Sequence, residues 1–218
     1  MKAEKMPHIK PPKIPDGLEP LLVHDEITDD KHFYGGIATN AAVCGQSFEK
    51  LEFEKVIFKN TTFQQAAFRN LQLTDVIFDS CDLSNADFSG AIIHRTEMRN
   101  CKLLGINLSD SALRHVLIAE CLANYASFGF SNVKHVHFQH CSLQNADFYE
   151  IQLKDLYFST CDLNESNFSG AELNGLDVSS CSFGHLTVSL EKLGGCIVST
   201  EQAIGFAKAL GLVVKDGN

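Results

Sequence analysis

The sequence predicts an all-β fold: a four-sided β-helix closed by a C-terminal α-helix. Three observations carry this. An apolar residue recurs every five positions, six cysteines recur every twenty, and every proline lies within the first twenty residues. Internal periodicity is read first, because a chain built of repeats buries its core by stacking and not by wrapping around a centre.

Stepping by five from Val43 to Val188 gives thirty apolar residues in succession, and thirteen of the 16 Phe fall on these steps, from Phe48 to Phe183. A period of five fits neither the 3.6 of a helix nor the 2 of a strand. It fits a solenoid in which five residues form one side of each turn and the middle one points inward. The residue two before each centre is small or aliphatic, as at Ala66, Val76, Ala86, Val116, Ala126, Val136 and Ala146, so it points inward as well. The remaining positions are mostly Asp, Asn, Ser, Gln, Lys or Gly and face outward.

Cys81, Cys101, Cys121, Cys141, Cys161 and Cys181 sit two residues before a centre and are spaced by 20. Twenty residues are four sides, hence one turn. The six thiols should therefore stack in one buried column at about the 4.8 Å spacing of neighbouring strands. A narrow interior favours Cys as a small hydrophobe and leaves no room for an ion, so no metal or redox ladder is expected.

Taken in order, residues 1–40 read as an irregular proline-rich leader, with a polar stretch at 25–31 suited to a helical turn. Residues 41–190 form the solenoid of about 7.5 turns, a rod on the order of 36 Å long. Residues 191–218 form a helix and tail. Ser199 and Gln202 have capping-box spacing and Gly211 can end the helix. Its apolar face is Ala203, Ile204, Phe206, Ala207 and Leu210, followed by Leu212 and Val213. Two roles are open for this face: it covers the end of the solenoid, or it pairs with a second copy about a two-fold axis.

Lys+Arg number 18 against 27 Asp+Glu, a formal charge of −9. So acidic a chain is not expected to bind nucleic acid through phosphate neutralisation. It has no apolar run of about 18 residues to cross a membrane. Met1-Lys2-Ala3-Glu4-Lys5 leads into prolines and not into an apolar signal, so the expected location is cytoplasmic and the expected state of all eight cysteines is the free thiol.

The strings Ala86-Asp87-Phe88-Ser89-Gly90, Ala146-Asp147-Phe148 and Ser166-Asn167-Phe168-Ser169-Gly170 resemble the pentapeptide-repeat family. That resemblance implies a right-handed quadrilateral β-helix. Three segments are similar to the quinolone-resistance (Qnr-type) branch, in particular its chromosomally encoded Gram-positive members. They are the C-terminal segment, Asn124-Tyr125-Ala126-Ser127-Phe128-Gly129-Phe130, and the leader string Leu21-Leu22-Val23-His24-Asp25. The resemblance implies a rod-shaped homodimer joined through C-terminal helices. It also implies binding to DNA gyrase and topoisomerase IV and their protection from fluoroquinolones by imitating DNA; gyrase protection against a natural toxin and a structural solenoid with an unrelated protein partner stay open beside it. The unbroken period leaves no room for the projecting loops that some plasmid-borne members use.

The charge map bears on that reading. Let sides 1 to 4 be those centred on Phe53, Phe58, Phe63 and Phe68. Residues 41–190 carry 17 acids and 10 bases, and sides 3 and 4 hold eight of the acids against three bases. These acids are Glu49, Asp87, Asp110, Asp147 and Glu150 on side 4, and Asp82, Asp162 and Glu165 on side 3. Such a face complements a basic DNA-binding groove, and it also suits plain solubility. Asp87 and Asp147 are placed to bond local turn backbone. Leu104, Leu122, Tyr125, Phe130 and Tyr149 form an outward apolar set, a candidate partner patch. A second row, Ile57, Ile77, Leu117 and Tyr157, is open to a partner or to cover by the leader.

His135, His137, His140 and Cys141 are close in sequence, and His115 should stack one turn from His135. Neighbouring residues on a strand face opposite ways, so no zinc site is expected. With no phosphate loop, nucleophile elbow or HExxH motif, neither an enzyme nor a cofactor is expected.

Overall fold

A computed structural model describes residues 8–23 and 27–215, with Ala209 described by its backbone alone. His24 and Asp25, the start of the polar stretch 25–31, and residues 1–5 lie outside the described residues.

Seven eight-residue strands recur at intervals of one turn: β1 (His32–Thr39), β3 (Glu52–Lys59), β5 (Gln72–Asp79), β6 (Ile92–Arg99), β7 (Ala112–Ala119), β8 (Asn132–Gln139) and β9 (Gln152–Ser159). The short strands β2 (Ser47–Glu49), β4 (Ala67–Arg69), β10 (Ser166–Phe168) and β11 (Leu186–Val188) lie on side 4. The seven long strands form one parallel sheet in the order β1-β3-β5-β6-β7-β8-β9. Every partner is twenty residues away, as in Phe33↔Phe53, Leu113↔Val133 and Phe138↔Phe158.

Each long strand covers sides 1 and 2 and bends between them at a residue of left-handed φ, such as Lys55 (57°), Asp75 (56°) or His135 (55°). Sides 3 and 4 are made of turns joined mostly by single parallel bridges, Asp82↔Lys102↔Leu122↔Ser142↔Asp162 on one and Asp87↔Asn107↔Ser127↔Asp147↔Asn167 on the other.

The solenoid starts earlier than the expected boundary at 41. β1 is already a full rung, and Phe33 and Ala38 are buried in phase with the later centres. The structure has about eight turns, not 7.5. At the first corner Gly35, φ 65°, replaces the usual polar residue, and Gly36 replaces the inward aliphatic residue that is Val56 one rung on, which hides the pattern.

The centres fill the interior with two facing columns of aromatic rings. Phe128 stacks on Phe148 at 5.0 Å and Phe148 on Phe168 at 4.6 Å, while Phe138 stacks on Phe158 at 5.2 Å. Rings from the two columns meet edge to face, Phe128 against Phe138 at 5.3 Å, a favoured aromatic geometry.

The leader is a strap along the corner between sides 1 and 2. Ile37 N–H donates to Glu19 O at 2.9 Å, Lys13 N–H donates to an Asp75 oxygen at 2.9 Å, and Lys10 N lies 3.5 Å from His115 Nδ1. It reaches past the first turn to β7. Beneath it Asp75 is only 2% exposed. Ile9, Pro12, Ile14 and Leu18 of the strap are half-buried, as are Ile57, Ile77, Leu117 and Tyr157.

The C-terminal helix, Thr200–Ala209, starts with the expected capping box: Ser199 and Gln202 each accept from the other's backbone N–H. Gly211 takes the left-handed position after its end, φ 82°. Among the described residues no helix is long and apolar enough to cross a membrane.

Candidate functional site

The thiol column forms as expected, and its chemistry is structural. Cys121 Sγ donates to Met98 O at 3.4 Å, and Cys141 Sγ to Ile118 O at 3.3 Å. Thr61, in the same column, makes the equivalent bond to Ala38 O with its hydroxyl. Hydrogen bonding along the column, and then burial, push Cys81, Cys121 and Cys181 above the ordinary thiol range, and Cys161 up to about 12. A thiolate at Cys101 or Cys141 would be a buried anion without a counter-ion, so those two stay protonated as well. His135, His137, His140 and Cys141 do not converge. His137 Nε2 bonds Ser159 Oγ at 2.8 Å, and His135 pairs with Asp155. Among the described residues no three His, Cys, Asp or Glu side chains form a metal cluster.

The eight predicted acids divide into two kinds. Asp82, Asp87, Asp147 and Asp162 are half-buried and each accepts the N–H two residues on, from Ser84, Ser89, Tyr149 and Asn164, at 3.0–3.1 Å. Such a bond ties an Asx-type turn. Asn107 and Asn167 also donate to Asp87 and Asp147. Burial raises the Asp82 pKa, but bonds from Ser84 and Gln64 hold its carboxyl below the usual range. These four are framework. Glu49, Asp110, Glu150 and Glu165 are exposed. They occupy i+1 or corner positions, and they are the acids available to a partner.

The five apolar residues do not form one patch. Phe130 and Tyr149 touch, ring centroids 5.3 Å apart at 79°. Leu104 and Leu122 lie on neighbouring rungs of side 3, joined by the bond from Leu103 N–H to Leu122 O. Tyr125, 68% exposed, stands on the corner between sides 3 and 4. Side 4 separates it from Phe130, which is 52% exposed on the next corner.

The backbone under these two aromatics is unusual. Tyr125 and Phe130 hold φ of 60° and 57°. Other rungs of the first corner column carry Asn85, Gly105 and Asn145 beside Gln65 and Glu165, and other rungs of the second carry Asn70, Gly90, Asp110 and Gly170 beside Lys50 and Glu150. Gly, Asn and Asp tolerate left-handed φ, whereas a bulky aromatic there costs roughly 1–2 kcal/mol. Two consecutive corners of one turn thus bear a local cost that Gly or Asn at the same positions would avoid. Phe130 is framed along its corner by Asp110 and Glu150, one rung away on either side at about 4.8 Å. A hydrogen bond from Tyr149 to Glu150 holds the phenol proton more tightly than usual.

The C-terminal residues expected at a two-fold interface also divide. Phe206 turns inward against the chain's own Phe183, centroids 6.0 Å apart, and Ala207 is half-buried. Gln202 Nε2 donates to Val178 O and Cys181 O at 3.0 and 2.8 Å, covering carbonyls that the last turn leaves open. This edge of the helix is an end cap. Ala203, Ile204, Leu210, Leu212 and Val213 are exposed, Val213 at 87%.

These features define a stacked, four-sided β-solenoid with exposed acids and aromatic side chains on sides 3 and 4 and the corners that bound them. A model of the pentapeptide repeat region matches residues 71–144 and 131–198, and the chain belongs to the pentapeptide-repeat family. The uncharacterized protein YisX of Bacillus subtilis (strain 168) is 42% identical over 66 residues, 30% of this chain and 31% of that protein. Among solved structures, full-length QnrB1, a plasmid-mediated fluoroquinolone resistance protein, is 19% identical with a TM-score of 0.41, covering 81% of this chain and 100% of its own. HetL, involved in heterocyst differentiation regulation in Nostoc sp. strain PCC 7120, is 18% identical with a TM-score of 0.35, covering 78% and 86%.

Proposed function

We propose that the protein is a non-catalytic docking rod that binds the DNA-binding groove of a type II topoisomerase, DNA gyrase or topoisomerase IV, and protects it from fluoroquinolones. The observation that carries docking is the Phe130–Tyr149 pair framed by Asp110 and Glu150. An exposed aromatic anchor within a carboxylate rim fits a basic groove with an apolar pocket, the anchor supplying affinity and the rim supplying steering. The choice of topoisomerase as partner rests on the resemblance of the 124–130 string and the C-terminal segment to the Qnr-type branch. The exposed apolar set Ile204, Leu210, Leu212 and Val213 supports a homodimer, which would give the rod two copies of the surface.

The test is a gyrase supercoiling assay with ciprofloxacin and a drug-free arm. Wild-type protein is expected to restore supercoiling. The Phe130→Ala/Tyr149→Ala variant should need at least about tenfold more protein for the same rescue. Inhibition without rescue would keep the docking and remove the protection. No effect in either arm would leave the rod with an unrelated partner. Sedimentation of Leu212→Asp should give monomers; an unchanged dimer would remove the apolar tail from the interface.

A further inference from the structure

The corner between sides 1 and 2, separated by side 1 from the corner that carries Phe130, holds a feature that the proposed function does not use. Along the solenoid, bases meet acids one turn away: Lys50–Asp30, Lys59–Asp79, Arg95–Asp75, Lys102–Asp82, His135–Asp155 and Lys192–Glu172 are all separated by twenty residues. One column on side 1 breaks this rule. His94 pairs in register with Arg114, Arg114 with Lys134, and Lys134 with Lys154. Like charges on adjacent rungs, about 4.8 Å apart, repel and weaken the sheet. None of Arg114, Lys134 and Lys154 has an ion-pair partner among the described residues.

Beside this column the imidazoles of His115 and His135 line the corner, next to His94 of the column itself. His115 stacks on His135 at 4.7 Å with planes 6° apart, and His94 lies 6.0 Å from His115. The leader passes over them and brings Lys10 and His8 to the far wall. Between leader and sheet is a cavity of about 460 Å³ walled by these cations and imidazoles. Burial and then the neighbouring cations hold His94 below the ordinary histidine value, and burial and then His135 do the same for His115. Both are hydrogen-bond donors without net charge near neutral pH. A cavity of this size falls in the range of small-ligand sites.

We propose that this cavity binds an oligophosphate chain, free or as the phosphate tail of a nucleotide. Arg114, Lys134 and Lys10 supply charge, and the imidazole N–H groups supply directed bonds to the phosphoryl oxygens. A linear polyanion neutralises the stacked cations that the sheet leaves unpaired, and its successive phosphates match a ladder better than a single phosphate does.

Isothermal titration with sodium tripolyphosphate, ATP, inorganic phosphate and a short DNA duplex tests this on the full chain. Saturable binding of tripolyphosphate and ATP is expected, with inorganic phosphate at least tenfold weaker. Equal affinity for the first two means that the chain alone is read; tighter ATP means that the nucleoside also makes contact. The Arg114→Gln/Lys134→Gln variant should bind roughly a hundredfold more weakly. It should be no less thermostable, because it removes repulsion. If that variant fails to fold, the imidazole signals of His94, His115 and His135 in the wild-type chain must shift with tripolyphosphate at the same midpoint. No saturable binding, unchanged affinity in a folded variant, or DNA binding tighter than either oligophosphate would overturn the proposal.

Discussion

Sides 1 and 2 and sides 3 and 4 have the same period and the same inward positions, yet they are held differently. On side 2 the inward residue two before the centre is β-branched, as at Val56, Thr96 and Val116, the outward residue before the centre is Ile57 or Ile77, and the backbone of sides 1 and 2 runs as eight-residue strands. On sides 3 and 4 the residue before the centre is Asp82, Asp87, Asp147, Asp162 or Asn167, whose oxygen takes the N–H two residues on. That N–H is lost to the ladder, so the strands shrink to bridges. β-branched residues favour the pleat, and Asx residues compete with it. The difference also sorts the surface chemistry. The laddered half carries the basic corner under the leader, and the turned half carries the exposed acids and strained aromatics.

The largest expected effect falls on both halves alike. Phe128→Ala on side 4 and Phe138→Ala on side 2 each empty a fully buried ring site and should cost about 3–5 kcal/mol in urea unfolding. A much smaller loss for Phe128 would mean that the turned half is loosely packed, and the comparison would fail.

The next effect is confined to the laddered half. Asp75 accepts from Arg95 Nη2 at 2.7 Å and from Lys13 N–H at 2.9 Å. Asp75→Asn should cost about 2–3 kcal/mol and loosen the leader, read as faster amide exchange at Lys13. Burial raises the Asp75 pKa, but the Arg95 and Lys13 bonds outweigh it and hold the carboxyl below its ordinary value of 3.8. Its stabilisation is therefore complete above about pH 3.8 and is lost as pH falls through the lower folded value. His94 and His115 sit below 6.5, so the unfolded chain takes up their protons first and stability declines as pH drops below about 6.5. Thermal melts across pH 3–8 should show both limbs in the wild type, and Asp75→Asn should flatten the more acidic one.

The smallest effect separates the two kinds of acid. Asp147→Ala should cost about 1 kcal/mol by leaving the Tyr149 N–H without its turn partner. Glu165→Ala, at an exposed corner, should leave stability unchanged and reduce only the salt dependence of partner binding. Equal losses would mean that the Asx bonds do not hold the turned half.

Much of this was legible in the sequence because the fold is nearly one-dimensional. A strict period of five and a cysteine period of twenty determine the sides, the register, the inward columns and the thiol stack, since each residue meets only the residue one turn away. The capping box at Ser199 and Gln202 and the Asx role of Asp87 and Asp147 are local, and they were readable for the same reason. What only the tertiary structure decided involves pieces outside the period. The first rung was hidden by Gly35 and Gly36. Phe206 turned inward because the last turn exposes Phe183 and open carbonyls. The leader has no repeat to fix its path, so its course over Asp75 and His115, and the cation-lined cavity it completes, had no sequence signal except the run of bases at Arg114, Lys134 and Lys154. Stacking is dictated by spacing, whereas the docking of an aperiodic strap depends on which surface is left for it to cover.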